Sequence, residues 1–317
     1  MTTPTSPSAP PAPAALAPAQ IKAVPVRHPW RWVLVAVIVL LAGMFAHMLV
    51  TNAAFSWRFM AENALSAPVF NGVKNTLFLT IVAMIIGVVL GIMLAVMRMS
   101  GNPVFSAVAW AYGWFFRAVP RIVLLVLFGT IGILYQRIEL GVPFDFWLER
   151  HLGFDANLRL WGVDSNVILT AVVAAIIGLA LSEAAYMAEI IRAGMLSVAG
   201  GQSEAAAALG MSRGKALRRI VLPQAMRVIV PPTGNETIAM LKDTALVAYV
   251  PFYELFFQLS NVGNRTFHPF PMLVAACLWY LAMSSVLMAV QFLIERHYGR
   301  GVRAGRTTAN ARGRGGI

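Results

Sequence analysis

The 317-residue sequence contains little that could cross-link the chain or bind a metal ion. Cys277 is its single cysteine, so the chain forms no intrachain disulfide and its cysteine content says nothing about a redox compartment. Five histidines are scattered along the chain without metal-ligand spacing. Charged residues make up only 12% of the sequence, whereas soluble domains average roughly 25%. These absences exclude a disulfide scaffold, a Cys/His metal module and an ordinary soluble domain.

The sequence does contain long apolar runs. Hydrophobic residues make up 59% of it, and a bilayer core about 30 Å thick needs about 20 mainly apolar residues per helical span. The third run is interrupted around Pro120, and the first is too long for the apolar part of a signal peptide. We therefore predict an all-α, polytopic membrane protein with six spans, at about Trp32–Val50, Val73–Met97, Val104–Tyr135, Val167–Ile191, Gly234–Val250 and Met272–Ile294.

The basic residues predict the orientation, because cytoplasmic loops collect Lys and Arg. With the N-terminus inside, sixteen of the 25 Lys and Arg residues fall on the cytoplasmic side, six outside and three in the membrane. Both termini are therefore expected in the cytoplasm, as a disordered tail rich in Pro, Ala and Ser at 1–29 and a basic tail at 297–317. This asymmetry accounts for the net charge of +12 without a nucleic-acid partner.

The loop between the fourth and fifth runs, residues 200–227, is unusually long and polar. Residues 204–209 are rich in alanine and favour a helix, which Gly210 would end by adopting a positive φ. Ser212 can cap a second helix that ends near Pro223. Composition alone would equally allow a basic amphipathic segment that lies on the membrane surface.

The order of residues in this loop is more specific than its composition. The pattern EAA-x3-G-x9-I-x-L-P is matched without a gap by Glu204, Ala205, Ala206, Gly210, Ile220, Leu222 and Pro223. It resembles the coupling loop of type I ABC importer permeases. The resemblance extends over about 225 residues, 72–296, and is to the polar amino acid permease family; the similar segments are GVKNTLFLTIV, FFRAVP, AAYMAEIIRAGM, LPQAMRVIVPPTGNETIAMLKDTAL and YLAMSSVLMAVQFLIER.

The resemblance implies a type-1 ABC transmembrane domain with a five-helix core, to which the segment 30–53 adds one helix. It also implies a bacterial inner-membrane importer in which two permease subunits, identical or paralogous, pair. A dimer of separate ATPase subunits would bind ATP and Mg²⁺, and an extracytoplasmic binding protein would deliver a polar amino acid. The chain itself would hold no cofactor and catalyse no reaction. It departs from the family's usual Arg-Gly-Thr-Pro at 117–120 and has an uncommon Ser182-Glu183 pair.

Ionisable and polar groups inside spans are candidate substrate-pathway residues, because they are costly there unless they face a cavity or a partner. Glu236 and Asp243 are seven residues apart and lie nearly on one helix face. An amino acid zwitterion needs a carboxylate opposite its ammonium group and a cation or a helix N-terminus opposite its carboxylate. The candidates are Asn235, Glu236, Lys242, Asp243, Glu183 and Arg117.

Structural roles compete with the substrate pathway for several of these residues. Thr233 and Glu236 form a possible capping box that would start the fifth span after two prolines. Lys242 and Asp243 each need a partner, which could be the substrate, Arg117 or another subunit. Arg117 can pair helices instead of contacting a ligand, and Glu183 has no local cation. Near the end of the fourth run, Glu189 is placed to pair with Arg192 three residues later.

Two other classes of function compete with an importer subunit. An ion-coupled secondary transporter would also use intramembrane charges, but it should show an inverted internal repeat, and the sequence has none. A non-transporting membrane scaffold or enzyme would leave the coupling-like loop without a role. Residues 210–216 lack the spacing of a phosphate-binding loop, and the external loop at 137–166 is too short for a binding-protein domain.

Overall fold

The computed structural model describes residues 29–135, 137–141, 150–151, 153 and 159–298. Almost all of the two predicted tails therefore lies outside the described residues. The helix at Pro29–Thr51 belongs to one compact unit, Met1–Ala53, and the helices and strands from Trp57 onwards belong to a second, Ala54–Ile317.

The described chain is mainly helical, as the sequence predicts. Its helices are α1 (Pro29–Thr51), α2 (Trp57–Ala64), α3 (Ala67–Arg98), α4 (Pro103–Ala118), α5 (Arg121–Leu134), α6 (Ser165–Ile168), α7 (Ala171–Leu196), α8 (Gly200–Ala208), α9 (Arg213–Ala216), α10 (Leu222–Asp243), α11 (Leu255–Thr266) and α12 (Pro269–Tyr298). Short 3₁₀ turns occupy Ala53–Phe55 and Thr244–Tyr249, and a π-helical segment, Leu217–Val221, joins α9 to α10. One antiparallel strand pair, β1 (Arg137–Gly141) with β2 (Arg159–Asp164), is an addition that we did not predict.

The predicted count of six spans is not confirmed. Within the described part of the chain, four helices are long and apolar enough to cross a membrane, namely α1, α3, α7 and α12. The helices α4 and α5 pass the same test together, but they meet at an angle of 100°. The predicted interruption at Pro120 is therefore a sharp bend, and the third run is either one broken span or a re-entrant segment.

The predicted fifth span begins in the wrong place. We expected it to start at Gly234, after two prolines, whereas α10 begins at Leu222 and continues through Pro231 and Pro232. The fixed φ of proline, near −65°, is compatible with a helix, although the two prolines give the carbonyl oxygens of Arg227 and Val228 no helical donor. Gln291 of α12 donates from Nε2 to the carbonyl oxygen of Pro231 at 2.8 Å. The helix α10 also carries four charged residues, so it is not apolar enough to count as a span by itself.

The longest helix of the second unit, α3, packs closely against α7. Gly87 and Gly91 form a GxxxG pair on α3, which allows two helices to approach at their backbones. A Cβ atom at Gly87 would lie 2.7 Å from Cγ of Glu183, and one at Gly91 would lie 2.6 Å from Cβ of Met187. Larger side chains do not fit at either position, and this contact fixes the place of Glu183 relative to α3.

Two apolar clusters hold the second unit together. The first joins α3, α5, α7 and α10 through Leu79, Leu125, Leu179, Met187 and Met240 among others. The second joins α2, α3, α11 and α12 through residues that include Met60, Val69, Leu259 and Met272. The buried carboxylate of Glu254, next to Leu255 of the second cluster, caps α11 by accepting from the amides of Phe256 and Phe257, and it also accepts from the hydroxyl of Tyr280.

Candidate functional site

The bend between α4 and α5 places one arginine inside the helix bundle. Val119 and Pro120 are extended, so α5 starts in a new direction, and Arg121 is its first residue. The Arg121 side chain is only 12% exposed. Its guanidinium carbon lies 4.9 Å from the ring centre of Tyr186, a cation–π distance. Arg121 thus points towards α7, where Tyr186 is located.

Three carboxylates from two helices surround this guanidinium group. From α10, Asp243 accepts from Nη1 through Oδ2 at 2.6 Å, while Glu236 is farther away, with its Oε2 3.8 Å from Nη2. From α7, Glu183 accepts from Nη2 through Oε2 at 2.9 Å. Buried ions of one sign are stable only when paired and hydrogen-bonded. We call Arg121 with Glu183, Glu236 and Asp243 the acidic cluster. Its one positive and three negative side chains give it a formal charge of −2 when all four are ionised.

Glu183 is the most deeply buried member of the acidic cluster. Its side chain is 0% exposed, and Oε1 has no hydrogen-bond partner among the described residues. The absence of a side chain at Gly87 makes room for it. A buried carboxylate oxygen without a hydrogen-bond donor is costly.

The structure brings together only some of the predicted pathway residues. Glu183, Glu236 and Asp243 meet, as the shared helix face of the last two suggests. Arg117, which we considered as a partner for Asp243, instead donates from Nε to the carbonyl oxygen of Gly113 in its own helix at 2.9 Å. Asn235 and Lys242 are exposed, and Lys242 makes no ion pair within the described part of the chain.

Sequence reasoning missed Arg121 as the central cation. Arg117 and Arg121 flank Pro120 and are both basic, so composition did not distinguish them. The signal that could have found it is the position of Arg121 directly after the helix-breaking proline, because a 100° bend turns the two arginines in different directions. Thus Glu183 does have a cation partner, from α5 rather than from its own helix.

The capping-box alternative for Glu236 is wrong. The hydroxyl of Thr233 donates to the carbonyl oxygen of Ile229 at 2.8 Å, which is a bond within the interior of α10. Because α10 starts eleven residues earlier, at Leu222, Thr233 is not at a helix terminus and has no free amides to cap. Glu236 is consequently free to face Arg121.

The predicted coupling loop forms a helical hairpin. The helix α8 ends at a Schellman motif, in which the amide of Gly210 donates to Ala207 and that of Met211 donates to Ala206. Gly210 has the predicted positive φ, 73°. Ala206 is buried, whereas Glu204 and Ala205 are exposed. The loop therefore presents the start of its motif to the surroundings and buries one small side chain inside the hairpin.

The second half of this loop differs from the prediction. Ser212 occupies the N-cap position of α9 with an extended backbone, but its side chain makes no capping hydrogen bond. The second helix does not end near Pro223, because the π-helical segment carries it directly into α10. Pro223 lies two residues after this π-helical segment within continuous helix, where proline donates no backbone hydrogen bond. Ile220, Leu222 and Pro223 thus lie on a continuous path from the hairpin to Glu236.

An exposed apolar residue in the hairpin also escaped the sequence analysis. Leu209, just before Gly210, is 81% exposed. The motif does not specify this position, although an apolar residue at the tip of a polar loop could have pointed to a contact surface.

Comparisons with known proteins identify the family of this chain. Residues 87–300 match the binding-protein-dependent transport system inner membrane component family. An arginine transport system permease protein, ArgU, of Corynebacterium glutamicum is 44% identical over 90% of this chain and 85% of its own length. A glutamate/aspartate import permease protein, GltK, of Escherichia coli is 34% identical over 72% of this chain and 92% of its own.

A solved structure gives the same result. The crystal structure of an amino acid ABC transporter with histidines is 31% identical, covers 73% of this chain and 94% of the solved chain, and superposes with a TM-score of 0.57. The predicted resemblance is thereby confirmed, together with the multi-pass inner-membrane location that the apolar helices indicate. The chain belongs to the binding-protein-dependent transport system inner membrane component family, as a permease of an amino acid ABC importer.

Proposed function

We propose that this permease carries a cationic amino acid and that the acidic cluster is the point in the membrane where its side chain binds. The observation that carries the proposal is the placement of three carboxylates around a single guanidinium group. With a formal charge of −2, the cluster attracts a lysine- or arginine-like side chain and repels an acidic one. Charge complementarity of this kind contributes more to specificity than to raw affinity.

The geometry leaves acceptor capacity for such a substrate. Arg121 occupies one oxygen each of Glu183 and Asp243, and Glu236 is only within ion-pair distance. The carboxylate of Glu236, which is 25% exposed, can therefore accept hydrogen bonds from an arriving ammonium or guanidinium group, while the fully buried Glu183 adds its charge to the cluster. Arg121 then holds the carboxylates in place without neutralising all of them.

The names of the relatives do not decide the charge of the substrate. One is named for arginine transport, and another for glutamate and aspartate import. The argument for a cation rests on the acidic cluster of this chain, and the 44% identical arginine transport relative supports it.

Energy would come from a separate ATPase dimer that binds ATP and Mg²⁺ and receives the hairpin in a groove. The exposed Glu204, Ala205 and Leu209 would contact the ATPase, and the continuous path into α10 would transmit its closure towards Glu236. An extracytoplasmic binding protein would deliver the substrate, and a second permease, identical or paralogous, would complete the pathway. An ion-coupled transporter or a scaffold would leave this hairpin without a role.

The orientation proposed for this arrangement places both termini and the hairpin in the cytoplasm. Reporter fusions at residues 55, 155 and 265 should then report an external location, because each position lies in a loop between two predicted spans on the outer side of the membrane. A cytoplasmic signal at residue 155 would contradict the proposed topology.

The substrate proposal is tested by binding to the purified permease in detergent, without the binding protein. Arginine and citrulline form a matched pair, since citrulline has nearly the same shape but no side-chain charge. We expect arginine to bind and citrulline to bind far more weakly. Asp243→Asn should weaken arginine binding roughly 10- to 100-fold. This range corresponds to the loss of one hydrogen bond to a charged group, which contributes about 1.5–3 kcal/mol. The control is Glu62→Gln, which removes an exposed carboxylate paired with Arg58.

Two results would contradict the proposal. Equal binding of arginine and citrulline would show that side-chain charge is not recognised, and tighter binding of glutamate would show that the sign is wrong. Since the binding protein is absent from the assay, its own selectivity cannot produce either result.

A further inference from the structure

A second group of charged residues lies apart from the acidic cluster. Arg98 of α3, Arg117 of α4 and Arg192 of α7 line one cavity of about 240 Å³ between these three helices. Trp110 of α4 and Glu189 of α7 also line it. Three guanidinium groups from three helices thus converge on a space that none of the importer functions described above uses.

The positive charge of this basic cavity is only partly compensated. Glu189 pairs with Arg192, accepting from its Nε at 3.2 Å, as predicted from their spacing. Arg98 donates from Nη1 to the hydroxyl of Ser106 at 3.0 Å, and Arg117 donates only to a main-chain carbonyl. Neither of the last two guanidinium groups pairs with a carboxylate of the described residues. The cavity therefore carries about two uncompensated positive charges.

The cavity lies near the ends of two spanning helices. Arg98 is the last residue of α3, and Arg192 lies in the second-last turn of α7. Arg117 is near the C-terminus of α4, but its side chain folds back one turn to Gly113. Such a turn brings its charge towards the other two arginines. In the orientation proposed above, both helix ends face the cytoplasm, which puts Arg98 and Arg192 near the inner headgroup region.

Two aromatic side chains of α4 lie at or next to the basic cavity. Trp110 and Trp114 are exposed, and their rings stack with centroids 6.4 Å apart. Tryptophan is enriched at membrane interfaces, where its ring lies among headgroups. Trp110 belongs to the cavity wall, so apolar ring surface and guanidinium groups face the same space.

We propose that the basic cavity binds the phosphate of an anionic phospholipid. A phosphodiester carries one negative charge, and arginine forks match phosphate oxygens in pairs. Basic pockets between transmembrane helices on the cytoplasmic side are suited to acidic headgroups. Arg98 and Arg117 bind the phosphate, while the Trp110 and Trp114 rings contact the glycerol and upper acyl region. The lipid belongs to the inner leaflet in the orientation proposed above.

The test compares lipid retention by the purified permease–ATPase complex in nanodiscs of phosphatidylcholine with and without phosphatidylglycerol. Native mass spectrometry counts the phosphatidylglycerol molecules that remain bound. The double variant Arg98→Gln/Arg117→Gln should lose phosphatidylglycerol retention, by roughly fivefold or more for each arginine removed. Arg98→Lys/Arg117→Lys keeps the charge and should retain part of the binding. The matched control is Arg296→Gln, which removes an exposed arginine from the last turn of α12, outside the cavity.

Three outcomes would overturn the proposal. The first is unchanged phosphatidylglycerol retention in the double glutamine variant. The second is complete displacement of the lipid by millimolar inorganic phosphate, which would indicate a site for a free anion. The third is an equal loss in Arg296→Gln, which would indicate diffuse surface charge. Melting temperatures in pure phosphatidylcholine nanodiscs verify folding, and the single variants Arg98→Gln and Arg117→Gln replace the double variant if it does not fold.

Discussion

Replacement of Arg121 by methionine tests the energetics of the acidic cluster most directly. Methionine keeps an unbranched stem of similar volume but removes the charge and both short hydrogen bonds to Glu183 and Asp243. Three carboxylates then face one another at a site where the arginine was only 12% exposed. Breaking a buried ion pair by removing one partner destabilises a protein by about 3–5 kcal/mol.

The structure places the expected loss near the lower end of that range. Asp243 is 33% exposed, so water takes over part of the role of its lost partner. Glu183 is 0% exposed and keeps the full penalty. We expect a loss of about 3 kcal/mol, which corresponds to a melting temperature roughly 6–12 °C lower for a domain of this size.

The assay is thermal denaturation of the purified permease in one detergent, followed by size-exclusion chromatography. The double variant Arg121→Met/Glu183→Gln should recover part of the loss, because the uncompensated buried charge is removed as well. The control Arg58→Met breaks an ion pair whose arginine side chain is 93% exposed and should cost no more than about 1 kcal/mol. If Arg121→Met melts no lower than Arg58→Met, the pairing described here does not stabilise the fold.

Three further substitutions probe packing, coupling and capping. Gly91→Leu should destabilise the α3–α7 contact by about 1–3 kcal/mol, because even a Cβ would lie 2.6 Å from Met187; a melting curve equal to wild type would contradict the packing. Gly210→Val puts a β-branched residue at φ 73°, a strain of about 1–3 kcal/mol, and should lower uptake and ATPase co-purification without lowering membrane insertion. Glu254→Ala should lower the melting temperature more than Tyr280→Phe, since it removes two amide acceptors as well as the hydroxyl partner; equal shifts would contradict a capping role.

Local sequence patterns were sufficient to predict the family and much of the helical structure. The coupling motif is contiguous in sequence, so its helix, its glycine with positive φ and its N-cap position could be predicted from neighbouring residues alone. The long apolar runs at α1, α3, α7 and α12 could be predicted because the membrane requires about 20 apolar residues whatever the helix contacts. The pairing of Glu189 with Arg192 followed from helical spacing.

The sequence alone did not predict the features that depend on the direction of one helix relative to another. Pro120 indicated a break, but only the tertiary structure gave the angle of 100° that separates Arg121, in the acidic cluster, from Arg117, which bonds to its own helix α4. Pro231 and Pro232 suggested a helix start, but α10 continues through both of them and packs against α12, whose Gln291 donates to the carbonyl oxygen of Pro231. Local propensity acts through residues a few positions apart, whereas the acidic cluster joins positions 121, 183 and 243, and their meeting is decided by the packing of α5, α7 and α10.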